Sequence, residues 1–219
     1  MIRTAVTVAV VVLLAFAVPA SAAMITLGGV SVSGQGQFSA VAGSTTVDFD
    51  AIALGNQNFA SGIATYQANI FAVGVGGGGD LFDDTTRAAR ALETANMTVD
   101  FSTPINYFGF YFGSPDPGNS VQFFNGATAL FTLTGADLIA MGVPGGTGGA
   151  AYVNFTGVGS ESFTRIVFST ANFPFETDNH AYRAVAAVPE PAALLLLGTA
   201  GAAMLTKARR RKSDGRVNV

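Results

Sequence analysis

The sequence predicts an all-β fold, an antiparallel β-sandwich or jelly-roll-like body. Two observations carry the prediction. From Ile25 to Ala187 the chain falls into short apolar or alternating runs rich in β-branched and aromatic residues, and Gly, Asn, Pro and Ser separate them. The runs predict strands at Ile25–Val32, Thr46–Leu54, Met97–Phe101, Ile105–Phe112, Ser120–Phe124, Thr128–Thr134, Ala151–Phe155, Phe163–Ser169 and His180–Ala186. Only Thr85–Ala95 and Ala136–Met141 read as helix, both short. No 20- to 50-residue period repeats, which argues against a solenoid or propeller.

Composition narrows the chemistry. The 219 residues include no Cys and one His, His180. Disulfides, thiol nucleophiles, thiolate metal sites and zinc sites built on two histidines are thereby excluded. Between Ala23 and Ala187 four arginines, Arg87, Arg90, Arg165 and Arg183, face twelve acids with no lysine, a net charge of −8. Phosphate backbones repel such a body, so nucleic acid is not an expected partner.

The ends carry different information. Arg3, the uncharged run Ala5–Val18 and then Pro19, Ala20, Ser21 and Ala22 have the order of a secretory signal peptide, with signal peptidase expected to cut after Ala22. Near the C-terminus, Val188-Pro189-Glu190-Pro191 precedes an apolar run, Ala192–Thr206, and a basic cluster of Lys207, Arg209, Arg210, Arg211 and Lys212. The prolines forbid helix before the run, because each lacks an amide donor and pushes its predecessor toward extended geometry. At about 1.5 Å per residue the run spans roughly 22 Å as a helix, so crossing a ~30 Å hydrocarbon core needs snorkelling cations or local thinning. The positive-inside bias keeps the cluster cytoplasmic and the body outside, in agreement with the leader. The expected organisation is a signal peptide at 1–22, a β-sandwich body at 23–187, a motif, single transmembrane helix and basic cluster at 188–212, and a cytoplasmic tail at 213–219.

Candidate sites in the body are fewer. Alternation in Asn106–Phe112 puts Phe108, Phe110 and Phe112 on a core face, and Tyr107, Gly109 and Tyr111 on the other. Two tyrosines flanking a glycine gap form a candidate sugar-stacking surface; second-layer packing beneath a loop is the plainer alternative. Asp48 and Asp50 share a face of the expected strand roughly 6.6 Å apart, a spacing open to glycosidase chemistry, calcium or simple solvation. Gly74–Asp84 is a glycine-rich loop carrying Asp80, Asp83 and Asp84, candidate ligands for a hard cation. Its G-x-G-x-x-G match lacks the βαβ setting of a nucleotide site. His180 is the only imidazole base available, no G-x-S-x-G elbow occurs and the body has no lysine, so a hydrolase is not expected.

Val188-Pro189-Glu190-Pro191, the apolar run with Leu194-Leu195-Leu196-Leu197-Gly198, and Arg209-Arg210-Arg211-Lys212 together resemble the PEP-CTERM sorting signal of Gram-negative bacteria that make exopolysaccharide. The resemblance implies recognition by an exosortase in the inner membrane, cleavage near Pro189-Glu190-Pro191 and transfer to the cell surface or extracellular, biofilm-type matrix. Phe108–Asp116, Asn119, Gly135–Leu138, Tyr152–Phe155 and Phe175–Asn179 are also similar to a recurrent group of PEP-CTERM surface proteins of undefined activity. Glu176, Asp178 and Asn179 resemble the terminal-strand cluster that holds a structural calcium in jelly-roll sugar-binding modules, although the same residues also read as a turn. Calcium is therefore the one cofactor to consider, and exopolysaccharide the partner to consider. The expected protein is noncatalytic, exosortase-processed, and structural or adhesive in an exopolysaccharide layer. The alternatives are a calcium-dependent carbohydrate-binding module and, third, a polysaccharide-acting enzyme using Asp48 and Asp50.

Overall fold

A computed structural model describes residues 23–74, 81, 83–146 and 149–185. The expected signal peptide, the apolar segment at 192–206 and the tail at 213–219 lie outside them. The elements in order are β1 (Ala23–Leu27), β2 (Val30–Ser31), β3 (Gln37–Phe38), β4 (Thr45–Val47), β5 (Gly55–Ser61), β6 (Ala64–Ala72), β7 (Arg87–Ala91), β8 (Met97–Gly113), β9 (Asn119–Asn125), β10 (Thr128–Thr134), α1 (Gly135–Ala140), β11 (Ala150–Gly157), β12 (Phe163–Thr170) and β13 (Phe175–Ala184). All pairings are antiparallel. Among the described residues strand dominates at 61% against 4% helix, so the all-β class stands.

Eleven strands form one sheet that folds over itself, and β8 is the reason. Its first part, Met97–Phe101, pairs with β12 and β6; its second, Ile105–Gly113, pairs with β11 and β13. Between them Ser102, Thr103 and Pro104 are exposed, and Pro104, which has no amide to donate, sits at the break in the ladder. The apolar runs predict one strand ending at Phe101 and another beginning at Ile105. The chain instead bends there while remaining extended. β6 divides similarly, its start on β8 and its end on β7, so β8, β13, β7 and β6 close a ring.

The core fills the inside of this fold. Met97, Val99 and Phe101 from one part of β8 meet Phe108, Phe110 and Phe112 from the other, with Phe123, Phe155, Phe163, Phe168 and Phe175 among them. A smaller cluster of Phe71, Val73, Leu81, Ala88, Tyr111 and Tyr152 lies apart from that core.

Three local expectations are corrected. Thr85–Ala95 is not helical: Arg87–Ala91 is strand β7 between β6 and β13, with Ala88 and Ala89 fully buried, Ala89 in the main core and Ala88 in the smaller cluster. Alanine favours helix in isolation, but a strand covered on both faces needs small side chains, and pairing overrides propensity. The strand expected at Thr46–Leu54 stops at Val47, because Phe49 turns into the left-handed region at φ 62° with its ring buried. Phe175–Asn179 is not a turn but the first half of β13. Helix α1 does form near Ala136–Met141; Thr134 and Asp137 cap it reciprocally, Asp137 N donating to Thr134 Oγ1 at 3.2 Å and Thr134 N to Asp137 Oδ2 at 2.8 Å.

Candidate functional site

A bulge in β13 builds the most unusual polar site. Asp178 pairs with Tyr111 and Ala181 with Gly109, so β13 holds one residue more than β8 across this interval, and Asn179 takes φ 50°. The extra residue reverses side-chain parity. Before it Phe175 points into the core; after it His180 and Tyr182 do, while Asp178 and Asn179 turn to the opposite face.

On that face Asp178 meets the turn before β7. Asp178 is 1% exposed and Asp84 5% exposed, and the Asp84 carboxyl is near enough to act on that of Asp178. Asp178 Oδ1 accepts from Asn179 N at 2.7 Å. Asp84 Oδ1 accepts from Thr86 N at 2.8 Å and Thr86 Oγ1 at 2.7 Å. Both Oδ2 atoms are buried and have no donor among the described residues. Burial foremost, then Asp84 and Asp50, pushes the Asp178 carboxyl well above the usual carboxylate range.

The N-terminal segment roofs this face. Gln35 bridges to Asp84, and Asn179 Nδ2 donates to Gln35 O at 2.6 Å. Gly36, at φ 70°, lies against the Tyr111 ring so closely that a Cβ there would overlap it. Ser39 Oγ shares a hydrogen bond with Tyr107 Oη at 2.6 Å, and Tyr107 Oη donates to Asn154 Oδ1 at 2.7 Å. Asn154 Nδ2 in turn donates to Gly28 O at 2.9 Å. Burial, then Asp84 and Asp83, pushes the Tyr111 hydroxyl up to about 12.

The expected residues therefore fall as follows. Tyr107 and Tyr111 do not offer a stacking surface: they are 0% and 2% exposed, and the gap at Gly109 is filled by the Tyr107 hydroxyl and the Tyr152 ring. Sequence alternation gave the right face but could not show the segment covering it. Asp83 is exposed beside Asp84, its Oδ1 accepting from Gly34 N at 3.3 Å; Asp80 lies outside the described residues. Glu176 is buried opposite Arg90. The structure thus joins one member of each expected calcium group, Asp84 and Asp178. Asp48 and Asp50 do not share a strand face: both are in the turn after β4, where Asp48 Oδ1 accepts from Asp50 N at 3.3 Å and Asp50 Oδ1 from Arg87 N at 3.1 Å. His180 is fully buried among Phe49, Phe108, Phe110 and Phe168, with Nε2 bonded to Thr177 Oγ1 at 2.7 Å.

The sequence reading missed one surface. A groove beside edge strand β5 is lined by Asn56, Gln57, Asn58, Gln67, Asn69 and Asn96, with Asn69 Nδ2 donating to Asn56 Oδ1 at 2.7 Å. Its signal was present in the alternating amides at 56 and 58 and again at 67 and 69, which antiparallel pairing of β5 with β6 sets side by side.

Val188, Pro189, Glu190 and Pro191, and the cluster Lys207, Arg209, Arg210, Arg211 and Lys212, lie outside the described residues, and sequence comparison speaks for them. No curated protein matches the chain. Residues 187–212 do match a family model, that of the PEP-CTERM protein-sorting motif, and the chain accordingly carries the sorting signal of exosortase-processed exported proteins.

Proposed function

We propose that this is a noncatalytic surface protein whose β-rich, sandwich-like body acts structurally or adhesively in an exopolysaccharide layer after exosortase has removed its C-terminal signal. The carrying observation is the sorting motif at 187–212, behind a body whose last strand ends at Ala184. The motif implies export and an exosortase as processing partner. Signal peptidase acts first, the inner membrane holds the apolar run transiently, and the cell surface or matrix receives the body. The amide groove supports the glycan contact, since Asn and Gln side chains donate to and accept from sugar hydroxyls. A calcium-dependent carbohydrate-binding module is the second reading, favoured by the Asp84–Asp178 pair.

Replacing Pro189, Glu190 and Pro191 together with Ala tests the sorting step in cells that make an exosortase. The residues follow the last strand, so body stability is expected to stay unchanged while a membrane-bound, tail-retaining precursor accumulates. Normal release of the triple variant would reduce the motif to a linker. Co-sedimentation of released protein with the cells' own exopolysaccharide, weakened by Asn58→Ala with Gln67→Ala, tests the adhesive role; equal sedimentation of variant and wild type would remove the groove from it.

A further inference from the structure

Two neighbouring carboxylates out of water need a positive partner. Coulomb repulsion between unit charges about 4 Å apart grows steeply as the surroundings become less polar, and a buried carboxylate is retained only when paired, protonated or ligated. The Oδ1 atoms of Asp84 and Asp178 already accept main-chain or hydroxyl hydrogens, whereas both Oδ2 atoms are buried with no donor among the described residues. Exposed Asp83 and Asp50 add negative charge nearby, and the Arg87 guanidinium is directed elsewhere, bonded through Nη1 to Ile52 O at 2.5 Å. We propose that Asp84 Oδ2 and Asp178 Oδ2 are the side-chain ligands of a divalent-cation site, whose all-oxygen donors suit a hard ion such as calcium, that pins the Gly34–Gln37 segment to β13.

Among the described residues no three His, Cys, Asp or Glu side chains form a metal-binding group. The site is therefore two-carboxylate, with main-chain carbonyls and water completing the six to eight oxygens calcium takes. Gln35, which bridges Asp84 and accepts from Asn179, brings main chain to the same place. The cation would act as a clasp between residues 94 positions apart, which explains why neither acidic group was complete in the sequence.

The test uses the full-length chain in detergent micelles, with terbium and calcium as probes. Tyr111, paired with Asp178, is placed to sensitise terbium emission. Wild type is expected to give tyrosine-excited terbium emission that excess calcium displaces, and to melt roughly 5 °C or more higher in millimolar calcium than in chelator. Asp84→Asn and Asp178→Asn should each lose both responses. In chelator, however, each should melt at or above wild type, because an amide replaces one of two repelling carboxylates and can donate to the other. Absence of a calcium response in wild type would overturn the site and leave a shared proton as the partner. A calcium response persisting in both variants would overturn it equally, by locating the ion elsewhere. If one variant fails to fold, the wild-type responses and the other variant decide.

Discussion

On one side of β8, Phe108, Phe110 and Phe112 meet other rings; on the other, Tyr107 meets the Ser39 and Asn154 side chains and Tyr111 lies against Gly36. The first side is held by area and shape, with ring centroids 5.1 Å apart for Phe110 and Phe168 and 4.4 Å for Phe112 and Phe175. The second is held by hydroxyls and amides that join Ser39, Tyr107, Asn154 and Gly28. Burial is nearly complete on both, so exposure alone does not separate them. What differs is reach. The phenylalanines join strands throughout the fold, whereas the tyrosines fasten one N-terminal segment. Damage to the first should unfold the body, and damage to the second should loosen its roof.

The largest expected effect is in the core. Phe110 contacts Phe108, Phe112, Phe155, Phe168, Phe175 and His180, and Phe110→Ala removes a fully buried ring from among them. A loss of about 3–5 kcal/mol is expected in denaturant unfolding, with hydrogen-exchange protection falling in all strands together. Loss confined to β8 and β11 would mean that the two halves of the sheet are not one cooperative unit.

His180 gives the core a dependence on pH that the phenylalanines lack. Burial lowers its folded pKa to about 3, while an unfolded histidine titrates near 6.5. Between those values the unfolded chain binds the extra proton, so stability falls as pH falls, by about 1.4 kcal/mol per unit. From pH 6.5 to 4.5 the cost is about 2.3 kcal/mol from this residue. Above pH 6.5 both states are neutral and the dependence disappears. Asp178 pulls the other way, because its raised pKa stabilises the fold on acidification, so the useful quantity is the difference between wild type and His180→Gln, measured in chelator. Equal slopes for the two proteins would mean that His180 is solvated or charged in the native state.

These contrasts also mark what was legible in the sequence. Phe108, Phe110 and Phe112 were readable as core because a strand repeats every two residues, and Ala136–Met141 was readable as a short helix. Asp84 and Asp178 were visible only as separate acidic groups, since their meeting depends on a one-residue bulge at Asn179 that no local pattern encodes. The closing ring was hidden for a related reason: alanine-rich β7 reads as helix until its covered faces are known. Tyr107 and Tyr111 had the right face but the wrong surroundings, because the segment over them has few strand-like residues.

The smallest effect sharpens the comparison most. Tyr107→Phe keeps the ring and removes one hydroxyl, so packing on β8 is preserved while Asn154 Oδ1 loses its donor and Ser39 Oγ is left with Val41 N and Ser44 Oγ. A buried acceptor left without a donor costs about 1–3 kcal/mol, and because Ser39 is partly exposed, water can replace one of the two bonds. The expected loss is therefore near the lower end, about 1 kcal/mol. Its location is the stronger criterion. Amides of the roof, Gly36 N on Asp83 O and Gly28 N on Tyr152 O, should exchange faster, while those pairing β8 with β12 should not change. That pattern requires the roof to open while the core remains closed. Uniform acceleration across both sets would show that the tyrosine face belongs to the same cooperative unit as the phenylalanines, and that Gly34–Ser39 is integral to the body rather than fastened onto it.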